Sequence, residues 1–220
     1  MNLQKINQSF EAYHDLIKSP NYDGWRLWEL VHQFQTHWDI DATNFREMFD
    51  KSFAINSPLW IRDHYYPKQA MQRYIDINDD IVRSMFKDLY NENKEIDGRI
   101  SRFVYQCDEI YKLERKTKQK VLPHDHSDKK MIFIYLSFRY PEIYTLHDFP
   151  SFKKYLHQIG SPNPPISSDV NRYIKVSKTL GTLLKKQDEL CATLDQKLEN
   201  ITAGNRYPML TIYEIYNLAQ

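Results

Sequence analysis

Apolar residues recur at helical spacing along most of this chain. The first periodic segment predicts a polar helix over Leu3 to Lys18, stopped by Ser19-Pro20. Asp23 reads as an N-cap, and the helix after it sets Trp25, Leu27, Trp28, Val31 and Phe34 near one broad stripe, ending around Trp38. A third helix starts after Asp41, with Phe45, Met48, Phe49 and Phe53 inward. Ile55 to Tyr66 breaks the period and reads as an ordered aromatic loop. Pro67 suits the first turn of a helix reaching about Ile77. Asn78 caps the next, in which Ile81, Val82, Met85, Phe86, Leu89 and Tyr90 repeat as adjacent pairs four residues apart. The clearest helix covers Lys94 to about Lys116, striped by Ile96, Ile100, Phe103, Val104, Cys107, Ile110 and Tyr111.

Residues 117–127 are polar, contain Pro123 and lack periodicity, which predicts a hinge. Ser127 or Asp128 then caps a buried segment, Met131 to Phe138, that reads as a helix or a short strand, because so brief an apolar run fits both. Glu142 to Leu146 reads as a short β segment. Pro150 opens another helix, closed by Gly160. Helical spacing resumes from Ser168 to Asn200, broken near Gln187-Asp188, and a last helix begins at Pro208. The expected fold is mainly α: one multi-helix domain over 1–220, with helical lobes 1–116 and 128–220 joined by 117–127 and a short β segment at 142–146.

Composition sharpens this picture. The chain has 5 Gly in 220 residues, where average usage gives roughly 15. Many-stranded folds and phosphate-cradling loops both consume glycine, so its scarcity favours helices and disfavours a nucleotide enzyme. The 16 Tyr, 11 Phe and 4 Trp exclude a wholly disordered chain. A net charge of +1 excludes a coat or histone-like protein, though not a local basic patch. Cys107 and Cys191 make no disulfide framework. No apolar signal core opens the chain, and no apolar run reaches the roughly 20 residues that span a bilayer. A cytoplasmic location with no membrane contact follows as an expectation.

Phosphate loops, dinucleotide fingerprints, the Gly-x-Ser-x-Gly elbow, His-Glu-x-x-His and paired Cys-x-x-Cys are all absent from the sequence. No catalytic residue or cofactor is assigned. Three constellations carry candidate chemistry. Lys112, Arg115, Lys116, Lys118, Lys120, Lys129 and Lys130 crowd one region against Glu114, Asp125 and Asp128; such a patch pairs with phosphates at close range or forms a solvated helix end. The loop holding Trp60, Arg62, Tyr65 and Tyr66 mixes flat rings with a cation, which suits base stacking or an extruded base and equally suits a loop anchored in the core. His124, His126 and Asp128 have metal-ligating composition and also read as a linker with a helix cap. Asp39 and Asp41 join two helices, with Asp41 as a cap. Arg139, ending the buried segment, suits an internal ion pair.

Several stretches together carry a resemblance. They are Trp38-Asp-Ile-Asp41, with Phe34 before and Asn44-Phe45 after; Tyr66-Pro67; Met85-Phe86 through Leu89-Tyr90, Glu92, Lys94, Ile96, Arg99-Ile100 and Phe103; Ile134-Tyr135-Leu136 with Arg139-Tyr140-Pro141-Glu142 and Tyr144; Phe152-Lys153; and Tyr207-Pro208 with Leu210-Thr211 and Ile215-Tyr216. Over roughly residues 23–218 the chain resembles the N-terminal helical domain of AAA-type GTPase or ATPase subunits in McrBC-like, modification-dependent restriction systems. The resemblance implies a target-recognition or adaptor module serving an AAA motor and a nuclease subunit. It also implies either an excised N-terminal domain or a free-standing relative, because the motor's phosphate loop is missing here.

The leading expectation is therefore a non-catalytic module of a restriction or anti-phage defence system that binds DNA, modified or not. Lys112, Arg115, Lys116, Lys118 and Lys120 would meet phosphates; Trp60, Arg62, Tyr65 and Tyr66 would line a base pocket. Two alternatives stand beside it: a protein-interaction domain without DNA, and a small metal-dependent enzyme using the His124 cluster.

Overall fold

Short polar residues and prolines set the helix boundaries. The protein, in a computed structural model, is described over residues 2–60, 66–117 and 129–219. α1 (Leu3–Lys18) begins at Asn2, whose Oδ1 accepts the amide of Lys5 at 3.2 Å. α2 covers Arg26–His37 and α3 covers Phe45–Ser52. α3 is capped by Asn44, whose Oδ1 takes the Glu47 amide at 3.0 Å. Asp41, the expected cap, instead pairs with Lys87 at 2.7 Å, because the chain between it and Asn44 turns before the helix begins. A 3-10 turn at Pro58–Trp60 precedes α4 (Pro67–Ile77). Asn78 then ends α4 and caps α5 (Asp79–Leu89), so two helices meet on one residue. α6 runs Ile96–Thr117.

The segment that read as helix or strand is a helix, α7 (Lys129–Arg139). Met131 to Phe138 is buried at every position, Ser137 included. A helix buried all round shows no amphipathic period. α8 (Phe149–Gln158) is capped by Asp148 and closed by Gly160 at φ +63, with Ser161 N–H bonding back to the Leu156 carbonyl at 2.8 Å. α9 (Val170–Leu184) and α10 (Asp188–Thr202) are separated where the sequence placed a break. α11 is Pro208–Leu218.

The mainly-α expectation holds: among the described residues there are eleven α-helices and no strand. The short β segment at 142–146 is corrected. It is a turn followed by irregular backbone. Its polar groups are met without a ladder: the Tyr173 hydroxyl donates to the Leu146 carbonyl at 2.5 Å. No helix among the described residues is long and apolar enough to cross a membrane.

The chain divides into two compact units, unit 1 of Met1–Val31 with Leu136–Gln220 and unit 2 of His32–Tyr135. Of the expected hinge at 117–127, Thr117 is the last residue of α6 and 118–127 lie outside the described residues. In unit 1, α11 packs on α1, α8 and α9. Tyr216 sits at the centre, its ring 5.2 Å from Tyr155, 5.3 Å from Phe152 and 5.8 Å from Tyr173. Buried phenols here find polar contacts: Tyr216 with Ser177 Oγ at 2.8 Å, Tyr155 with Ser9 Oγ at 3.0 Å. In unit 2 the core is an aromatic cluster. Phe86 touches the rings of Trp38, Tyr135 and Phe103 at 5.1, 4.9 and 5.4 Å, and Phe34, Phe45, Phe49 and Phe53 surround Trp38. Most of the aromatic excess is thus core.

Candidate functional site

A groove of about 530 Å³ opens in unit 2 between the 3-10 turn and α4. Ser57 starts the turn, accepting the Leu59 amide on Oγ at 3.2 Å and the Trp60 amide on its carbonyl at 3.1 Å. Trp60 is only 6% exposed. Its indole N–H donates to the Ile55 carbonyl at 3.0 Å, and its ring stands edge-on to Phe53 at 5.1 Å. Trp60 therefore forms a fixed wall of the groove, and its ring is committed to the core rather than open for stacking. Tyr66, at the foot of α4, is 50% exposed and makes no capping bond.

α4 supplies the rest of the lining through Lys68, Gln69 and Gln72. The Lys68 ammonium donates to the carbonyl of Phe53 at the end of α3, where the helix dipole favours a cation. Burial lowers the Lys68 pKa, opposed by Asp50. Gln72 Nε2 donates to Asp50 Oδ1 at 2.6 Å, and Arg46 binds the same carboxylate. Among the described residues no Asp or Glu lines the groove. Amides that both donate and accept, a half-exposed ring and a cation can hold a flat polar group.

The basic residues of α6 belong to the same unit. Ile96, Ile100, Phe103, Cys107 and Ile110 form its buried stripe, and the stripe continues into Glu114, 1% exposed. Glu114 accepts a bond from Arg73 Nε at 3.0 Å. α4 thus carries one wall of the groove and also the ion pair that holds the last turns of α6. Lys112, Arg115 and Lys116 point to the other side. Lys112 is partly neutralised by Glu109 at 2.6 Å, which raises its pKa. The Arg115 guanidinium lies 5.9 Å from the Tyr111 ring centre. Tyr105 and Leu113 are exposed on the same helix.

Of the residues singled out from sequence, Trp60 and Tyr66 meet at the groove and Lys112, Arg115 and Lys116 share the exposed end of α6. Arg62, Tyr65, Lys118, Lys120 and the cluster of His124, His126 and Asp128 lie outside the described residues. Among those described, no group of three His, Cys, Asp or Glu side chains could hold a metal. Asp39 accepts the Asp41 amide at 3.0 Å, and Asp41 pairs with Lys87, so this acidic pair shapes a turn. Arg139 lies over the Tyr140 ring at 5.2 Å.

Sequence reasoning missed one cluster in unit 1. Glu214 Oε2 accepts bonds from the hydroxyls of Tyr13, at 2.6 Å, and Tyr22. Burial raises the Glu214 pKa above its ordinary value, and burial together with Glu214 raises both tyrosines. Gly24 is required beside it, since a Cβ there would fall 2.5 Å from Glu214 Oε1 and 2.3 Å from the Tyr22 hydroxyl. The partners lie about 200 residues apart. The one available signal was a single acid inside the apolar run Pro208–Leu218.

Comparison with protein-family models, with curated proteins and with solved structures finds no match.

Proposed function

We propose that this chain is a non-catalytic recognition or adaptor module of a restriction or anti-phage defence system, acting in the cytoplasm, and that it binds DNA for an associated AAA motor and nuclease. The observation that carries this reading is the groove of unit 2, where Tyr66 stands with Lys68, Gln69 and Gln72 and no acid lines it among the described residues. Amide side chains read base edges and an exposed ring stacks on a base face. The exposed Lys112, Arg115 and Lys116 supply phosphate contacts. A net charge of +1 is compatible, since a reader of one base needs a pocket and a few phosphate contacts. The sequence resemblance to McrBC-like N-terminal domains points the same way.

Titration of labelled duplexes, with and without methylated cytosine, at two salt concentrations tests this reading. Binding should weaken with salt. The triple change Lys112→Glu, Arg115→Glu, Lys116→Glu should flatten the salt slope by ~0.9 per lost phosphate contact. Tyr66→Ala should lower affinity by ~1–3 kcal/mol if a base stacks there. Absence of binding to either duplex at low salt would refute it. A second reading, a protein-docking module, is favoured by the exposed Tyr105 and Leu113 of α6. Retention of an AAA subunit that survives the lysine changes and is lost in Leu113→Asp would select it.

A further inference from the structure

The outward face of α9 in unit 1 carries charge of one sign. Residues 170–186, the helix and the two lysines after it, hold Arg172, Lys175, Lys178, Lys185 and Lys186 and no Asp or Glu. They take five of the chain's 30 basic residues and none of its 29 acidic ones, so the rest of the chain is net negative. Tyr173, Ser177, Leu180, Gly181 and Leu184 are buried, and the Ser177 hydroxyl meets Tyr216 of α11 on that side. Lys175, Lys178, Thr179 and Thr182 are exposed. Their spacing of i, i+3, i+4 and i+7 sets them in one stripe along the helix.

Elsewhere the chain offsets its surface lysines with acids. Lys51 pairs with Glu47 at 2.7 Å, Lys87 with Asp41 at 2.7 Å and Lys112 with Glu109 at 2.6 Å. The Lys175 and Lys178 ammonium groups make no ion pair or hydrogen bond among the described residues. Lys185 and Lys186 have local reasons for their place. They follow the C-terminal end of α9, where the dipole favours cations; Glu142 shares a hollow with Lys185, and Glu11, Asp188 and Glu189 share one with Lys186. Lys175 and Lys178 sit mid-helix and have neither. Asp169, the nearest acid in sequence, caps α9 by accepting the Arg172 amide at 2.9 Å. Like charges three or four residues apart on a helix repel, and a bound anion would turn that repulsion into attraction.

We propose that the outward face of α9 binds the phosphate backbone of duplex DNA without reading its sequence. What the face lacks selects this partner. Protein interfaces are poor in Lys and anchored by large apolar side chains, and no large apolar side chain of α9 is exposed. A helix that lies on a membrane sinks its apolar face into lipid, and the apolar face of α9 is buried in unit 1. Single strands are held by stacking on aromatic rings, and the stripe has none. Lysines act on phosphates as point charges and need no base contact to do so. This contact belongs to unit 1 and does not require the unit 2 groove to hold a base.

The test titrates the full chain with a labelled unmethylated duplex, with one of its single strands and with phosphatidylserine vesicles, at salt from ~50 to ~200 mM. The parent should bind the duplex most tightly, and salt should weaken that binding. Lys175→Gln with Lys178→Gln keeps good helix formers at both positions, so the melting temperature should not change. Each lost phosphate contact takes ~0.9 from the salt slope, so over this fourfold range the parent should lose about tenfold more affinity than the double variant. Lys5→Gln with Lys18→Gln removes the same charge from exposed positions of α1 and should leave the slope as it is. The α9 effect should persist in a Tyr66→Ala background. A slope that falls in the α9 variant while Tyr66→Ala and the α6 changes do nothing keeps this inference and removes the unit 2 reading; the reverse pattern overturns this inference alone. It is also overturned if the duplex is not bound at ~50 mM salt, if the α1 variant flattens the slope as much, or if the vesicles or the single strand bind as tightly as the duplex.

Discussion

Replacing Glu214 with Gln should remove a pH dependence of stability that the parent chain carries. Glu214 receives two phenolic hydrogen bonds and pairs with no cation among the described residues. Burial is the largest influence on its carboxyl and raises the pKa; the Tyr13 and Tyr22 bonds pull it down, and the charge of Asp23 raises it. The net direction is upward from 4.5. Below that value both folded and unfolded chains hold the proton, and stability is complete. As pH rises, the unfolded chain releases its proton first, so stability falls until the folded carboxyl also ionises. One proton limits this slope to ~1.4 kcal/mol per pH unit. Urea unfolding followed by tryptophan fluorescence, from about pH 4 to pH 8, gives the difference between parent and Glu214→Gln. The parent should lose stability relative to the variant across this range. Tyr22→Phe deletes one donor to the charged form, worth ~1.5–3 kcal/mol, and should carry the fall about 1–2 pH units higher. A flat difference, or a parent that gains on the variant as pH rises, would refute the reasoning.

Other expectations follow from packing and caps. Phe86→Ala empties the centre of the unit 2 cluster and should cost ~3–5 kcal/mol in urea unfolding; a loss below ~1 kcal/mol would mean the cluster is not packed as described. Asn78→Ala removes the Oδ1 that takes the Ile81 amide at 3.0 Å and should cost ~0.5–2 kcal/mol, with Asn78→Gly milder; equal losses would exclude the capping role. Ala203→Gly relieves a left-handed residue at the end of α10 and should stabilise by ~1 kcal/mol, measurable as a higher melting temperature; a lower one would contradict it. Gly24→Ala forces a methyl against Tyr22 and Glu214 and should destabilise by ~1–3 kcal/mol, an effect that thermal unfolding detects.

Local chemistry was legible and long-range chemistry was not. α1 occupies its expected span, α4 begins at Pro67 and Asn78 caps α5 as the turn residues indicated. These features depend on a few neighbouring residues. The 142–146 segment failed because β-like composition describes a half-buried surface, and Tyr173, 27 residues on, satisfies that backbone instead. Trp60 fitted both a ligand ring and a core anchor in the sequence, because exposure is not written in a loop's composition. In the fold its ring meets Phe53, which the sequence marked as core without placing Trp60 beside it. The Glu214 cluster draws on elements spread across unit 1, and no motif of fixed spacing marks it.

The division of unit 1 into two pieces of sequence has a consequence for synthesis. About a hundred residues of unit 2 are translated between its first piece and its second. The inward stripe of α1 (Ile6, Phe10, Tyr13 and Ile17) is covered in the finished protein by packing that includes α11, and Tyr13 waits 201 residues for Glu214. Unit 2, continuous in sequence, can close while the chain is still attached to the ribosome. α1 then waits for α8, α10 and α11 to follow before its inward stripe is covered, so that stripe stays open to solvent through most of synthesis.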